Sequence, residues 1–113
     1  MTPGKARKES LSVLRAARRQ MISSAWTRKL EREDKRTRRR AADALLNIGS
    51  AIDTIELAEL ESISDAMRDN EREIERGISN LRKAIDSMTR VEAVLTAVES
   101  LMKLGSRIAP LLV

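Results

Sequence analysis

The sequence contains no cysteine and no histidine, and Trp26 is the one aromatic residue among its 113 residues. Without cysteine, the chain can form neither a disulfide framework nor a thiolate metal site. Without histidine, it lacks the commonest general base and a usual ligand of zinc. Acidic pairs on one helix face, such as Glu92 and Glu99, are weak candidate cation ligands, because such pairs usually lie in solvent. We therefore predict a protein that is not an enzyme and holds neither a cofactor nor a metal.

Glycine and proline are also scarce, with 4 and 2 residues respectively, too few for the turns of an all-β fold. With no phenylalanine or tyrosine, the core must consist of Leu, Ile, Val, Met and Ala, which suits packed helices. A chain of 113 residues forms one domain at most. We predict an all-α fold over residues 1–113: a small helical bundle or helical hairpin with a long coiled-coil-like C-terminal helix.

No apolar run approaches the roughly 18 residues that are needed to cross a bilayer. Residues 1–8 lead into no uninterrupted apolar segment of the kind found in secretory signals. We therefore expect a cytoplasmic protein without a membrane span. Binding of the N-terminal segment to a membrane surface is a less favoured alternative, because its apolar side has few bulky residues.

Seven apolar residues recur at a spacing of seven in the C-terminal half, which predicts a line along one side of a long helix. Two companion positions, Asn70 and Gly77, lack the large apolar residue that a two-stranded coiled coil would have. The line is either a surface for oligomerisation or the internal packing seam of a bundle, and the spacing does not distinguish between them. This seam consists of Leu60, Met67, Ile74, Leu81, Met88, Leu95 and Met102.

Two places in the apolar region are candidate turns. Gly49 can take the left-handed conformation that ends a helix, and Ser50 followed by Asp53 resembles a capping box, so we predict a turn there. Residues 68–71 are polar on all sides and offer a second turn. Because the seam continues across them without a change of spacing, we favour one long helix with a bend near Gly77.

Charge and hydropathy divide the chain into three segments. Residues 1–40 form a basic helical segment with fourteen Lys or Arg and four acids, and Thr2, followed by a proline, marks its helix start. Residues 41–104 hold the apolar and heptad-bearing helices, which we expect to end at Gly105. Residues 105–113 form an apolar tail that either straps the end of the bundle or inserts into a groove of a neighbouring subunit.

The most strongly charged stretch is residues 28–40. When it is projected as one helix at about 100° per residue, its cations gather on one side and its acids on the other. A solvated helix does not require such sorting, whereas a helix that contacts successive phosphates benefits from it. No Asn is present in this stretch to read base edges, so we predict contacts with the phosphates of DNA or RNA. The predicted contacts are Arg28, Lys29, Arg32, Lys35, Arg36, Arg39 and Arg40.

Residues 53–75 offer these cations a different partner, since they contain nine acids and two arginines. These acids could pair with the cations within one chain or between copies, as in a homo-oligomer or filament. Such pairing would suit a structural or adaptor protein that acts by helix packing. The cations could also bind an acidic surface of another protein. Trp26 is either a core residue or an anchor for a partner or a base. We favour a non-catalytic protein that binds nucleic-acid backbone as part of a larger nucleoprotein assembly, with the adaptor role as the alternative.

Overall fold

A computed structural model describes residues 1–87 and 90–108, with the side chains of residues 1–86 and 90–103. Within these residues the chain forms helices and no strand, which confirms the predicted all-α fold. The helices are α1 (Pro3–Met21), α2 (Ser24–Glu31), α3 (Lys35–Leu57), α4 (Leu60–Met67), α5 (Glu71–Ser87) and α6 (Val91–Ile108).

The four longer helices make up the body of the bundle, in which α1 and α6 each pack against both α3 and α5. Arg7 on α1 donates a hydrogen bond of 2.7 Å to the carbonyl oxygen of Ala58, so the start of α1 lies beside the end of α3. The amine of Met1 lies 2.6 Å from Glu71 Oε1, which places the start of α5 at the same end. The short helix α2 contacts α1, α3 and α6 at the opposite end.

The start of α1 follows the prediction from its sequence. Thr2 is the N-cap residue, and its hydroxyl accepts a hydrogen bond of 3.2 Å from the backbone N–H of Lys5. Pro3 occupies the first helical position, where the absent N–H leaves no helical hydrogen bond unmade. The apolar residues spaced three or four apart along α1 are buried in the core, whereas Ile22, just after the helix, is 65% exposed. The buried residues are Leu11, Leu14, Ala17 and Met21.

The core is aliphatic apart from Trp26, which is 1% exposed. This burial makes Trp26 a packing residue and rules out its alternative interpretation as a platform for a partner or a base. Its indole ring belongs to the same apolar cluster as Leu14, Ile48, Leu81 and Leu95. The cluster takes residues from all six helices, so the described residues form one hydrophobic core.

The predicted turn at Gly49 is wrong, because α3 continues through this residue to Leu57. A single glycine weakens a helix by about 1 kcal/mol, which the burial of neighbouring apolar side chains easily exceeds. Ile48 and Ile52 on either side of Gly49 are buried in the core and hold the helix in place. The chain instead leaves the helical conformation at Ala58, whose φ of −69° and ψ of 138° are extended.

The predicted long C-terminal helix is also not formed. Residues 68–70 separate α4 from α5, and α5 ends at Ser87 before α6 begins at Val91. The first interruption is a tight turn, in which the N–H groups of Arg68 and Asn70 bond to carbonyl groups three residues earlier. The backbone at Arg68 stays helical, with φ of −48° and ψ of −42°, so the interval of seven continues across the turn.

The seam residues are therefore distributed over separate helices that face a common core. Leu60 is an exception, because it begins α4 and is 46% exposed, and Met102 is only partly buried. Met88 and the tail residues 109–113 lie outside the described residues, and α6 continues through Gly105 to Ile108. This arrangement matches the interpretation of an internal packing seam, since the buried members are Met67, Ile74, Leu81 and Leu95.

Candidate nucleic-acid interface

The strongly charged residues 28–40, which we call the basic stretch, belong to two helices. Their projection onto a single helix was therefore wrong. Ser23 caps α2 by accepting a hydrogen bond of 3.2 Å from the N–H of Trp26. Asp34 caps α3 in the same way, because its Oδ1 accepts a hydrogen bond of 2.7 Å from the backbone N–H of Thr37. Arg28 therefore lies on α2, and Arg32 is the C-cap residue of that helix, while the cations after Asp34 lie on α3.

Five of the seven residues that were predicted to contact phosphate are exposed at the end of the bundle where α2 ends and α3 begins. In the part of the chain that the structure describes, no carboxylate forms an ion pair with any of the five. Their charged groups are thus available to an external anion. We call these five residues the basic cluster: Arg28, Arg32, Lys35, Arg36 and Arg39.

Arg40, another predicted phosphate contact, is set apart from the basic cluster by its partners on α6. Its Nη1 donates to Glu92 Oε1 at 2.7 Å, its Nη2 donates to Thr96 Oγ1 at 3.3 Å, and its Nε donates to Glu99. The two carboxylates raise the pKa of the Arg40 guanidinium. Arg40 therefore joins α3 to α6, and its pairing was not visible in the sequence because the two helices are far apart along the chain.

Lys29 is also set apart from the basic cluster, because it is partly buried and already engages another group of the protein. Sequence reasoning missed two other cations, Arg18 and Arg19, which lie exposed in the last turn of α1. The start of α1 lies beside the end of α3 and the two helices pack together, so both arginines lie toward the end of the bundle where α3 begins. The signal that could have found them is the capping residue Ser23, which marks the turn between α1 and α2.

The start of α3 has an unusual charge distribution for a helix N-terminus. Five of its first six residues are Lys or Arg, and its first turn contains no acid. The helix dipole places partial positive charge at this end, which disfavours nearby cations and favours anions. Asp34, the N-cap residue, provides the nearest compensation. The hydrogen bonds from Thr37 lower the pKa of the Asp34 carboxyl, and the positive charges of Arg36 and Arg38 lower it further.

The acids of residues 53–75 do not neutralise the basic cluster within the described residues. Glu56 pairs with Arg15, and Glu71 pairs with the amine of Met1. Asp65 pairs with Arg68, three residues further along the chain. Two of these pairs, Glu56 with Arg15 and Glu71 with the amine of Met1, join residues 53–75 to the basic segment 1–40, but neither involves the basic cluster.

Other kinds of site find no support in the described residues. No helix among them is long and apolar enough to cross a membrane, and no three acidic side chains there are grouped as a metal site. Comparison of the chain with family models, with curated proteins and with solved structures finds no match. The basic cluster is therefore the strongest candidate for a functional site, on its geometry alone.

Proposed function

We propose that this protein binds the phosphate backbone of nucleic acid through the basic cluster, as a component of a larger nucleoprotein assembly. The observation that carries the proposal is the set of five exposed cations at one end of the bundle. Among the described residues, none of these cations has a carboxylate partner. A polyanion would supply more opposite charge than Asp34, the capping carboxylate at the start of α3, provides.

The position of the cations strengthens this argument. Lys35 and Arg36 occupy the first turn of α3, where they repel each other and the positive end of the helix dipole. Folding alone would favour acids at these positions. A bound phosphate would reverse the balance, because it is attracted both by the side chains and by the helix N-terminus.

Binding of this kind is expected to be tolerant of sequence. Arginine and lysine contacts to phosphate oxygens position a protein on nucleic acid without reading base edges. If each of five cations replaces one counterion on duplex DNA, the slope of log K against log salt is about −4.5. Affinity at physiological salt is then expected at a Kd of about 10⁻⁴ to 10⁻⁶ M, as for other non-specific binders.

Fluorescence anisotropy of labelled duplex DNA and of single-stranded RNA, at several salt concentrations, tests the proposal. The variant R32Q/R36Q/R39Q should bind more weakly, and its salt slope on DNA should fall to about −2, because three contacts are lost. The matched control is R72Q/R76Q/R82Q, which removes the same charge from exposed arginines of α5. The control should bind almost as the unaltered protein does.

Two results would reject this function or this site. If neither nucleic acid binds at low salt, the protein does not bind nucleic-acid backbone. If both triple variants lose the same affinity, only net charge matters and the basic cluster is not the site. Circular dichroism of each variant shows whether it remains folded, so that loss of binding is not confused with loss of structure.

A further inference from the structure

The outward side of α3 carries apolar side chains that the bundle does not cover. Leu46 is 75% exposed and Leu57 is 86% exposed, the highest values among the large apolar residues of the described chain. They lie on one line along the helix with other residues spaced three or four apart, so they share a face. We call this line the outer face of α3: Arg39, Ala42, Leu46, Gly49, Asp53 and Leu57.

Gly49 lies on this face although α3 does not need a glycine there. A Cβ atom built on Gly49 would meet nothing within 4 Å, so packing inside the protein does not exclude a side chain. Glycine in the middle of a helix lowers helix stability. What glycine permits is the close approach of another backbone, and the open side of Gly49 offers room for one.

The charges on the outer face are arranged symmetrically about Leu46. Arg39 precedes Leu46 by seven residues and Asp53 follows it by seven, which is about 10 Å along the helix in each direction. If two copies of α3 pack antiparallel with Leu46 opposite Leu46, each Arg39 lies level with Asp53 of the other copy. A parallel pair would instead place Arg39 against Arg39 and Asp53 against Asp53.

We infer that two copies of this chain associate through the outer face of α3, in an antiparallel arrangement centred on Leu46. The interface is isologous, so each favourable contact occurs twice about a two-fold axis. Leu46 and its symmetry mate form the apolar centre, Gly49 lets the helices approach, and two pairs of Arg39 with Asp53 fix the register. The buried seam residues take no part, because the core of each copy already covers them.

This inference goes beyond the proposed function and does not rest on it. Arg39 belongs to both the basic cluster and the outer face, and Lys35 lies one turn before Arg39 on the same side of α3. The other three cations of the basic cluster stay outside the interface: Arg28, Arg32 and Arg36. In the dimer the two clusters lie toward opposite ends, because the helices α3 run in opposite directions. Nucleic-acid binding and association can therefore be measured separately with Leu46 and Asp53 variants, which leave the basic cluster intact.

Sedimentation velocity over a range of concentrations, at low salt, measures the association. The chain has a mass of 12.7 kDa, and the unaltered protein should approach twice this value as the concentration rises. Leu46→Gln removes the apolar centre and should remain a monomer. Arg39→Asp and Asp53→Arg each create two repulsive pairs in place of two attractive ones, and each should weaken association by about tenfold or more.

The register is tested by restoring the opposite charges. The double variant R39D/D53R exchanges both partners and should associate again. An equal mixture of R39D and D53R should form a heterodimer, because acids of one copy then face arginines of the other at both positions. The matched control is Arg76→Asp on α5, an exposed charge reversal outside the outer face, which should associate as the unaltered protein does.

Three results would overturn the inference. An unaltered protein that is monomeric at every concentration would remove the dimer. A dimer that survives in the Leu46→Gln variant would move the interface to another surface. Failure of both the double variant and the mixture to associate, while the single variants are folded monomers, would reject the antiparallel register. If Leu46→Gln is monomeric and binds nucleic acid normally, the dimer and the basic cluster are independent properties.

Discussion

Arg40 on α3 donates a hydrogen bond of 2.7 Å to Glu92 on α6, and the same guanidinium also bonds to Glu99, two helical turns further along. Carboxylates spaced by seven residues lie on one side of a helix, so a single arginine can reach both. The neighbouring Arg39, in contrast, is exposed and has no carboxylate partner among the described residues. Two adjacent arginines thus have different surroundings, which leads to opposite predictions for them.

Replacing Arg40 with glutamine should lower the free energy of unfolding by about 1 kcal/mol, because a partly exposed ion pair is lost. The Arg40 side chain is 31% exposed, so solvent screens the interaction in part. The same change at Arg39 should have almost no effect on stability at low protein concentration. Urea unfolding measures both variants.

Nucleic-acid binding should show the reverse order. Arg39→Gln should make the slope of log K against log salt less steep by about 1, whereas Arg40→Gln should leave this slope unchanged. Equal effects of the two variants on binding would show that Arg40 reaches the ligand despite its pairing with α6. Equal effects on unfolding would show that the contacts of Arg40 with Glu92 and Glu99 contribute nothing to stability.

Asp34 should make the stability of the protein depend on pH. Its pKa in the folded protein is lowered by the hydrogen bonds from Thr37 at the start of α3. A lowered folded pKa means that the ionised carboxyl stabilises the fold at neutral pH. This contribution is complete above the unfolded pKa and is lost as the pH falls through the folded value. Acidification below about pH 4 should therefore remove it.

Asp34→Asn isolates this contribution, since asparagine also caps helices but does not titrate. The unaltered protein should be more stable than the variant at pH 7, and the difference should shrink at pH 3, as urea unfolding at both values would show. Glu59→Gln is the control, because Glu59 is the N-cap residue of α4 and makes no side-chain capping hydrogen bond. A difference for Asp34→Asn that is equal at both pH values would contradict the argument.

The seam of seven residues should divide into core and surface positions when it is tested by mutation. Leu81 is fully buried, so Leu81→Ala should lower the free energy of unfolding by about 2–5 kcal/mol. Leu60→Ala should cost less than about 1 kcal/mol, because this side chain is 46% exposed. Similar losses at both positions would indicate that Leu60 is covered in solution. Unfolding at a lower protein concentration tests whether a second copy covers Leu60. If it does, the loss of stability in Leu60→Ala should become smaller on dilution, because the two copies then separate.

The fold class followed from composition, because a core without Phe or Tyr and a chain with 4 Gly suit packed helices. The start of α1 at Thr2 and its buried side were also predictable from local sequence. The helix boundaries beyond α1 were not. Periodicity alone does not show a short turn such as residues 68–70, which ends one helix and begins the next but keeps the spacing of seven.

The same limit applies to the candidate site. Asp34 is an ordinary capping residue, and giving it that role would have divided the basic stretch, residues 28–40, correctly. The exposure of the basic cluster was predictable, since its neighbours in the sequence are charged. The role of Arg40 was not, because its partners Glu92 and Glu99 come close only when α3 packs against α6.

Gly49→Ala should change stability and association in opposite directions. Alanine favours the helix over glycine and meets no atom within 4 Å at this position, so the free energy of unfolding of the monomer should rise by about 0.5–1 kcal/mol. The added methyl group faces the other copy in the proposed dimer, where it holds the two helices apart and should weaken association. Urea unfolding at low protein concentration measures the first effect, and sedimentation at high concentration measures the second. Ala42→Ser, on the same face, is a control for a small change in size. A Gly49→Ala variant that is more stable and associates as well as the unaltered protein would show that the second copy does not approach α3 closely at Gly49.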